Sequence, residues 1–292
     1  MKQIILANAQ YWLGYLNEHP QDQPPEDLDL QGGARALEAL LDLDEVGDLQ
    51  LSLVSILHPH MERRGHWEEW QQILQYLFRV AHRRSDRHAE VALRLRIGAI
   101  QRRRGDEDAA IRAYRKAWRL ARRCGDTLNR ALALANLGAL YRQQRAFPRA
   151  EALCRGALRL FETIGESVRA GHADNTLGVI YLSQGKWSKA EAHFHRAQER
   201  FEQEDEIDGL AVVARNLGIL HTYTEELTQA ESYFDQALHH YRQLKDDVNL
   251  ARVQLNIANL CRQLGDLEKA ESAGLSAESI LKQTGDPLNL AR

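Results

Sequence analysis

The sequence predicts an all-α solenoid of about seven antiparallel helix pairs. Three observations predict it. Alanine recurs at forty-residue steps, at Ala110, Ala150, Ala190, Ala230 and Ala270. A second alanine follows each of these by seven residues, at Ala117, Ala157, Ala197, Ala237 and Ala277. A small residue precedes each first-set alanine by twelve, at Gly98, Gly138, Gly178, Gly218 and Ala258. Self-similarity at a fixed period of this length marks stacked units that bury one continuous core between them. Stacks of this kind present a long binding surface and no single catalytic cleft, so the expected role is that of a binding scaffold.

Each forty-residue unit reads as two helices. In residues 127–143, Leu132, Leu134, Leu137 and Tyr141 fall at helical spacing. A break at Gln144, Arg145 and Ala146 follows, and 147–161 repeats the pattern through Ala150, Cys154, Ala157, Leu158 and Phe161. Gly65, Gly105, Gly185 and Gly265 mark the first turn of successive units, with Arg145 and Glu225 in their place twice. Gly125, Gly165 and Gly285 mark the second, each followed by an acid. Glycine suits a left-handed helix C-cap, and the acid after it suits the next N-cap. Gly138, Ala150 and Ala157 are small where helix axes cross, and Leu137, Tyr141 and Phe147 fill the space around them.

These residues carry a family resemblance. Asn136-Leu137-Gly138 with Tyr141, Ala150 and Ala157 resembles the tetratricopeptide repeat (TPR) motif. So do Thr176-Leu177-Gly178 with Tyr181, Ala190, Phe194 and Ala197, and Asn216-Leu217-Gly218 with Ala230, Phe234 and Ala237. The usual TPR period is shorter and ends in proline. The forty-residue variant is similar to that of kinesin light chains and of sensor arms in bacterial STAND-class signalling ATPases. The resemblance implies a right-handed TPR superhelix whose first helices line a concave face.

The ends depart from the repeat. Residues 1–45 read as an irregular N-terminal helix pair. Its first helix carries Tyr11-Trp12-Leu13-Gly14 and its second Leu30, Ala34 and Leu37, with a proline-rich loop through Pro20, Pro24 and Pro25 between them. Residues 46–286 read as TPR-like repeats, the first degenerate because Trp67, Trp70, Leu74 and Leu77 stand in the register of Glu107, Ala110, Tyr114 and Ala117. Residues 287–292 read as the start of a further, truncated helix, because 286–292 repeat the register of 246–252. The expectation is a longer protein, or an open solenoid end that packs on a partner such as a second copy of the chain.

Charge says little about partners as a whole and more by region. The 292 residues carry a net charge of −3, with 44% hydrophobic and 27% charged residues, ordinary for a soluble protein. Residues 1–45 hold nine acids and two bases, whereas 46–125 hold seventeen bases and nine acids. The arginines from Arg79 to Arg123 raise nucleic-acid binding as an alternative, but helix geometry scatters them over several faces and acids lie among them. No apolar run is long enough for a transmembrane helix, and no cleavable leader is expected. Cys124, Cys154 and Cys261 show no close spacing, which fits a reducing cytoplasm.

The candidate partner-binding residues follow from the resemblance, carried position by position onto the first helices. They are Arg102, Asn136, Arg142, His172, Asn175, Arg215, Asn216, Tyr223, Arg252, Asn256, Asn259 and Arg262. Asn136, Asn216 and Asn256 repeat at one height, with Thr176 departing. Amides donate and accept at once, so such a ladder suits the backbone of an extended peptide, and the arginines suit acidic groups on it. A role only in holding the helices is the competing reading of the same asparagines. No catalytic constellation, cofactor motif or metal spacing accompanies them; His58, His60 and His66 form the tightest histidine group outside the predicted helices. The function expected is a non-catalytic scaffold for a protein or peptide, with the sensing arm of a STAND-type regulator as the alternative.

Overall fold

The computed structural model describes residues 2–18, 32–33, 35–37, 39–40, 47–64 and 67–283. Among the described residues there is no strand. The chain divides into two compact units, residues 1–140 and 141–292. The first holds α1 (Lys2–Glu18), α2 (Gly47–Arg64), α3 (Trp67–Arg83), α4 (Arg87–Arg103) and α5 (Glu107–Cys124). The division falls inside α6 (Thr127–Gln143). The second holds α7 (Phe147–Thr163), α8 (Ser167–Leu182), α9 (Trp187–Gln203), α10 (Ile207–Tyr223), α11 (Leu227–Gln243), α12 (Asp247–Leu264) and α13 (Leu267–Gln283). Successive helices pack as antiparallel neighbours, α4 on α5, α8 on α9, α10 on α11 and α12 on α13. The fold is the all-α TPR type that the repeat predicts. The proline-rich loop, Leu30, Ala34, Gly65, His66, Gly285 and residues 286–292 lie outside the described residues.

The backbone keeps a stricter beat than the side chains. One residue with positive φ closes nearly every helix, at Ser85, Gly105, Gly125, Arg145, Gly165, Gly185, Asp205, Glu225, Lys245 and Gly265. The step is twenty residues, one per helix, and only half the positions are glycine. A left-handed residue there sends the chain back antiparallel while its amide and the next satisfy terminal carbonyls. Asp106 N–H, for example, donates to Gln101 O at 2.9 Å, and Asp126 N–H to Ala121 O at 3.0 Å. The sequence pattern reveals the glycine turns and two substitutes, and gives no sign of Ser85, Asp205 and Lys245.

The residue after each turn starts the next helix. Aspartates do so with a side-chain cap: Asp86 accepts from Ala89 N–H, Asp106 from Ala109, Asp126 from Asn129, Asp246 from Asn249 and Asp266 from Lys269, at 2.9–3.1 Å. Glu166, Glu206 and Glu226 stand in the same place and make no such bond. The extra methylene carries their carboxylates past the N-terminal amides. Glu166 meets Arg169 at 3.0 Å instead, and Glu226 meets His221.

Small residues admit aromatic rings from the partner helix. A Cβ built on Gly178 would come 2.4 Å from Phe194, on Gly218 2.5 Å from Phe234, and on Gly98 2.6 Å from Tyr114. Each pair is sixteen residues apart, first helix to second. Phe201 wedges similarly against Gly171 and Gly209, on the helices to either side of its own. In the first unit, one cluster buries Ala9, Leu37, Leu53, Leu57, Trp70 and Leu74. Bulky Trp70 occupies the alanine register there and is fully buried, its indole N–H donating to His58 Nδ1 at 2.8 Å.

Candidate functional site

Within the second unit, the first helices α8, α10 and α12 lie side by side. Their common register brings several of the expected residues together. Asn216 is buried and donates from Nδ2 to Asn175 Oδ1 at 2.8 Å, joining α10 to α8. Arg215 Nη1 reaches Asn249 Oδ1 at 3.3 Å, and Arg252 Nη1 reaches the same oxygen at 3.2 Å. Arg262 Nη2 bonds to Asn259 Oδ1 at 3.1 Å within α12. Asn256 is half-buried and makes no side-chain hydrogen bond among the described residues. Thr176, the departure in the asparagine column, returns its hydroxyl to His172 O at 2.9 Å.

None of the remaining expected residues takes part in those bonds between side chains. His172 is exposed, and its ring leans on Phe201 with centroids 4.9 Å apart. Desolvation there lowers its pKa, against the opposing pull of Asp208 and Glu206. Tyr223 is 62% exposed and stacks on Trp187, centroids 5.6 Å apart and planes 8° from parallel. Arg142 is half-buried at the end of α6. Burial pushes the Cys154 thiol up to about 12, against the Arg142 charge. In the first unit, Arg102 and Asn136 are half-buried on α4 and α6, and Asn136 makes no side-chain hydrogen bond among the described residues.

Three further groups are not evident from the sequence. Arg96 holds the asparagine-ladder register on α4, and its Nη2 donates to Ser55 Oγ on α2 at 2.6 Å. Burial lowers its pKa and no carboxylate offsets that effect. Asp174, fully buried on α8, faces three side chains of α9. His193 Nδ1 donates to Asp174 Oδ1 at 2.8 Å, Arg196 Nε lies 3.6 Å from that oxygen, and Arg200 Nε lies 3.3 Å from Oδ2. Arg200 also reaches Glu162 on α7 at 2.6 Å. Comparing columns across repeats would have found Asp174, the one acid in the set Arg94, Leu134, Asp174, Ala214 and Gln254. Asn249 makes the third, its amide oxygen accepting from both Arg215 and Arg252.

The arginine-rich stretch divides among separate partners. Arg87 and Arg94 meet the buried Glu90 at 2.7 and 4.0 Å, and Arg104 meets Glu68 at 3.7 Å. Arg94 also sits 4.4 Å over the Phe78 ring. Among the described residues no three His, Cys, Asp or Glu side chains gather as a metal site. No described helix is long and apolar enough to cross a membrane.

Stacked helix pairs of this pitch, with asparagines repeating on the first helices, define a TPR array. The tetratricopeptide repeat profile matches residues 130–164, 169–243 and 209–283, just over half of the chain, and the chain belongs to that family. No curated protein sequence matches it. Among solved structures it is similar to the apo form of RapI, with 13% identity and a TM-score of 0.70 over 94% of this chain and 99% of that one. It is similar to NprR in complex with its cognate peptide NprX, with 17% identity and a TM-score of 0.63 over 96% and 79%. It is also similar to a STAND protein with a tetratricopeptide repeat sensor from Pyrococcus horikoshii, with 14% identity and a TM-score of 0.63 over 97% of this chain and 46% of that one. At these identities the likeness is one of fold.

Proposed function

We propose that the chain is a non-catalytic, cytoplasmic scaffold that binds an extended peptide or partner segment along its first helices. The observation that carries this reading is the row of polar side chains, half-buried or exposed, on α8, α10 and α12. Asn175, Arg215 and Asn256 are its half-buried members and Asn259 and Arg262 its exposed ones, with Asn136 holding the same register in the first unit. Amides repeated along one face can donate to and accept from the peptide groups of an extended chain, and the guanidiniums can donate to them. NprR, a structural relative, was solved in complex with its cognate peptide, which supports the same use of this fold.

The test is capture from the native host by the full chain, with the retained proteins identified by mass spectrometry. Asn256→Ala with Arg262→Ala should abolish retention. Glu231→Ala with Asp235→Ala, exposed on the second helix α11, should leave it intact. The reverse pattern places binding on the other helix layer and removes this reading. A second reading, the sensing arm of a STAND-type regulator, is supported by the likeness to the Pyrococcus sensor over nearly the whole chain. A nucleotide-binding domain in the same reading frame, or encoded beside it, supports that role, and a gene with neither overturns it.

A further inference from the structure

The place that Asp174 fills recurs one repeat later with different contents. Between α7, α8 and α9, the Arg200 guanidinium joins two acids. Its Nη2 lies 2.6 Å from Glu162 Oε1 and its Nε 3.3 Å from Asp174 Oδ2. His193 and Arg196 complete that cluster. Forty residues on, between α9, α10 and α11, Glu202 stands for Glu162, Ala214 for Asp174, Tyr233 for His193, Gln236 for Arg196 and His240 for Arg200. Two acids face two arginines in the earlier repeat. In the later one the acid Glu202 is kept and both arginines are gone.

The substitutions open a cavity. All five later residues, with Gln198, line a space of about 170 Å3, several times the roughly 30 Å3 share of one water. No lysine or arginine lines it. The exposed Glu202 carboxylate makes no ion pair among the described residues and accepts from Gln198 Nε2 at 2.8 Å. That bond leaves the Gln198 amide oxygen as an acceptor. His240 Nδ1 is buried and has no hydrogen-bond partner among the described residues. Leu120, Leu160 and Ile280 hold its register, and Trp118, Leu158 and Leu238 hold that of Gln198. Two polar replacements on one cavity wall, one of them buried and unbonded, are costly unless a ligand meets them. The surroundings are negative. Burial raises the Tyr233 hydroxyl's pKa, and the Glu191 charge raises it further. The open hollow that shares Gln236 and His240 is walled by Glu231 and Asp235 and by no lysine or arginine.

We infer that the cavity between α9, α10 and α11 is a guanidinium site, which takes from a ligand the group that Arg200 supplies within the repeat before it. Glu202 receives the charge, as Glu162 does there. The amide oxygens of Gln198 and Gln236 and the imidazole Nδ1 of His240 accept further N–H groups from the five that a guanidinium carries. Ala214 provides the room. The site lies against the second helices α9 and α11, so it stands independently of peptide binding along the first helices. Its ligand is an arginine side chain of a partner or a free guanidino compound, which share this group.

The test uses the full chain and free L-arginine, with L-citrulline as the neutral isostere and sodium chloride at matched ionic strength as control. The side-chain amide signals of Gln198 and Gln236 and the ring signals of His240 are followed by NMR. Saturable shifts with arginine, absent with citrulline and with chloride, are expected. Glu202→Gln should weaken binding about tenfold, the worth of one hydrogen bond to a charged group. Ala214→Leu puts in this register the residue that Leu134 places there. It should abolish the response with a melting temperature unchanged or raised. N-acetyl-arginine amide separates the two sources. Tighter binding than free arginine assigns a partner's side chain, and weaker binding assigns a free compound. Citrulline acting as strongly as arginine overturns the site, as do shifts that only track ionic strength, an unaltered affinity in Glu202→Gln, or a full response in Ala214→Leu.

Discussion

Tyr181 stacks on His193, with ring centroids 5.3 Å apart and planes 26° from parallel. Forty residues later the same two positions hold the same two ring types exchanged, with His221 stacked on Tyr233 at 5.2 Å and 3°. In both pairs an acid fixes the imidazole. His193 Nδ1 bonds to Asp174 at 2.8 Å and His221 Nδ1 to Glu226 at 2.5 Å. In these two repeats the packing between first and second helix is met by a flat ring pair with the two ring types in either order. The acid has to move when the histidine does, which is why Asp174 has no counterpart at Ala214.

The buried Asp174 is the costliest polar group in that arrangement. Asp174→Leu leaves the His193 N–H buried without an acceptor, and we expect a loss of about 1–3 kcal/mol, the cost of stranding a buried polar group. Leu134 and Leu153 hold these two registers one repeat earlier, so Asp174→Leu with His193→Leu should recover most of that loss. Arg200 keeps Glu162 in either case. Urea unfolding midpoints of the two single variants and the double variant decide it. A double variant as unstable as the sum of the singles rules the account out.

Five helix ends carry a side chain in the left-handed region, Ser85, Arg145, Asp205, Glu225 and Lys245. A non-glycine residue there costs about 1–2 kcal/mol in backbone strain. Glycine removes the strain but adds roughly 0.5–1 kcal/mol of unfolded-state entropy. The strain outweighs the entropy, so Arg145→Gly, at an exposed site, should stabilise by up to about 1 kcal/mol. Gly105→Ala, at φ 80°, should destabilise by a similar amount. Differential scanning calorimetry of the two variants should show melting temperatures moving in opposite directions.

The pitch, the helix bounds and the small-against-large packing were legible because each repeats five times and a column outweighs its exceptions. What stayed hidden sits in the exceptions. Lys245 gives no sign of its conformation, since the turn geometry is imposed by the helices on either side. Asn216 looked equivalent to Asn136 and Asn256, yet the residue beside it in space is Asn175, forty-one positions away. Thr176, which broke the column, turns inward on its own helix, and its neighbour Asn175 takes up the bond. The arginines of the groove were visible as types, but their convergence on Asn249 depends on a cap made three residues upstream.

His172 makes stability depend on pH in a direction set by its surroundings. Desolvation against Phe201 is the dominant effect and holds the imidazole below its ordinary 6.5. A base whose folded pKa is lowered binds its proton more readily in the unfolded chain. Its contribution to stability is therefore complete above about 6.5 and is lost as pH falls through the lower folded value. His172→Gln should flatten that part of the profile. Urea midpoints measured from about pH 7.5 to about pH 5 should fall less for the variant than for the natural chain. Parallel curves would show that the ring is solvated.

The three ladder asparagines should separate in their effect on stability. Asn216 is buried and bonds across to Asn175, so Asn216→Ala removes that bond and strands a half-buried amide oxygen. We expect a loss of about 1–2 kcal/mol. Asn136 and Asn256 are half-buried and make no side-chain bond among the described residues, so alanine at either should change stability by less than about 0.5 kcal/mol. A simultaneous truncation of all three therefore confounds folding with binding, whereas Asn136→Ala with Asn256→Ala tests the ladder alone. Thermal unfolding of each single variant is the measurement. Equal losses at all three positions would mean that the Asn216–Asn175 bond contributes nothing, and that these asparagines act on their own helices alike.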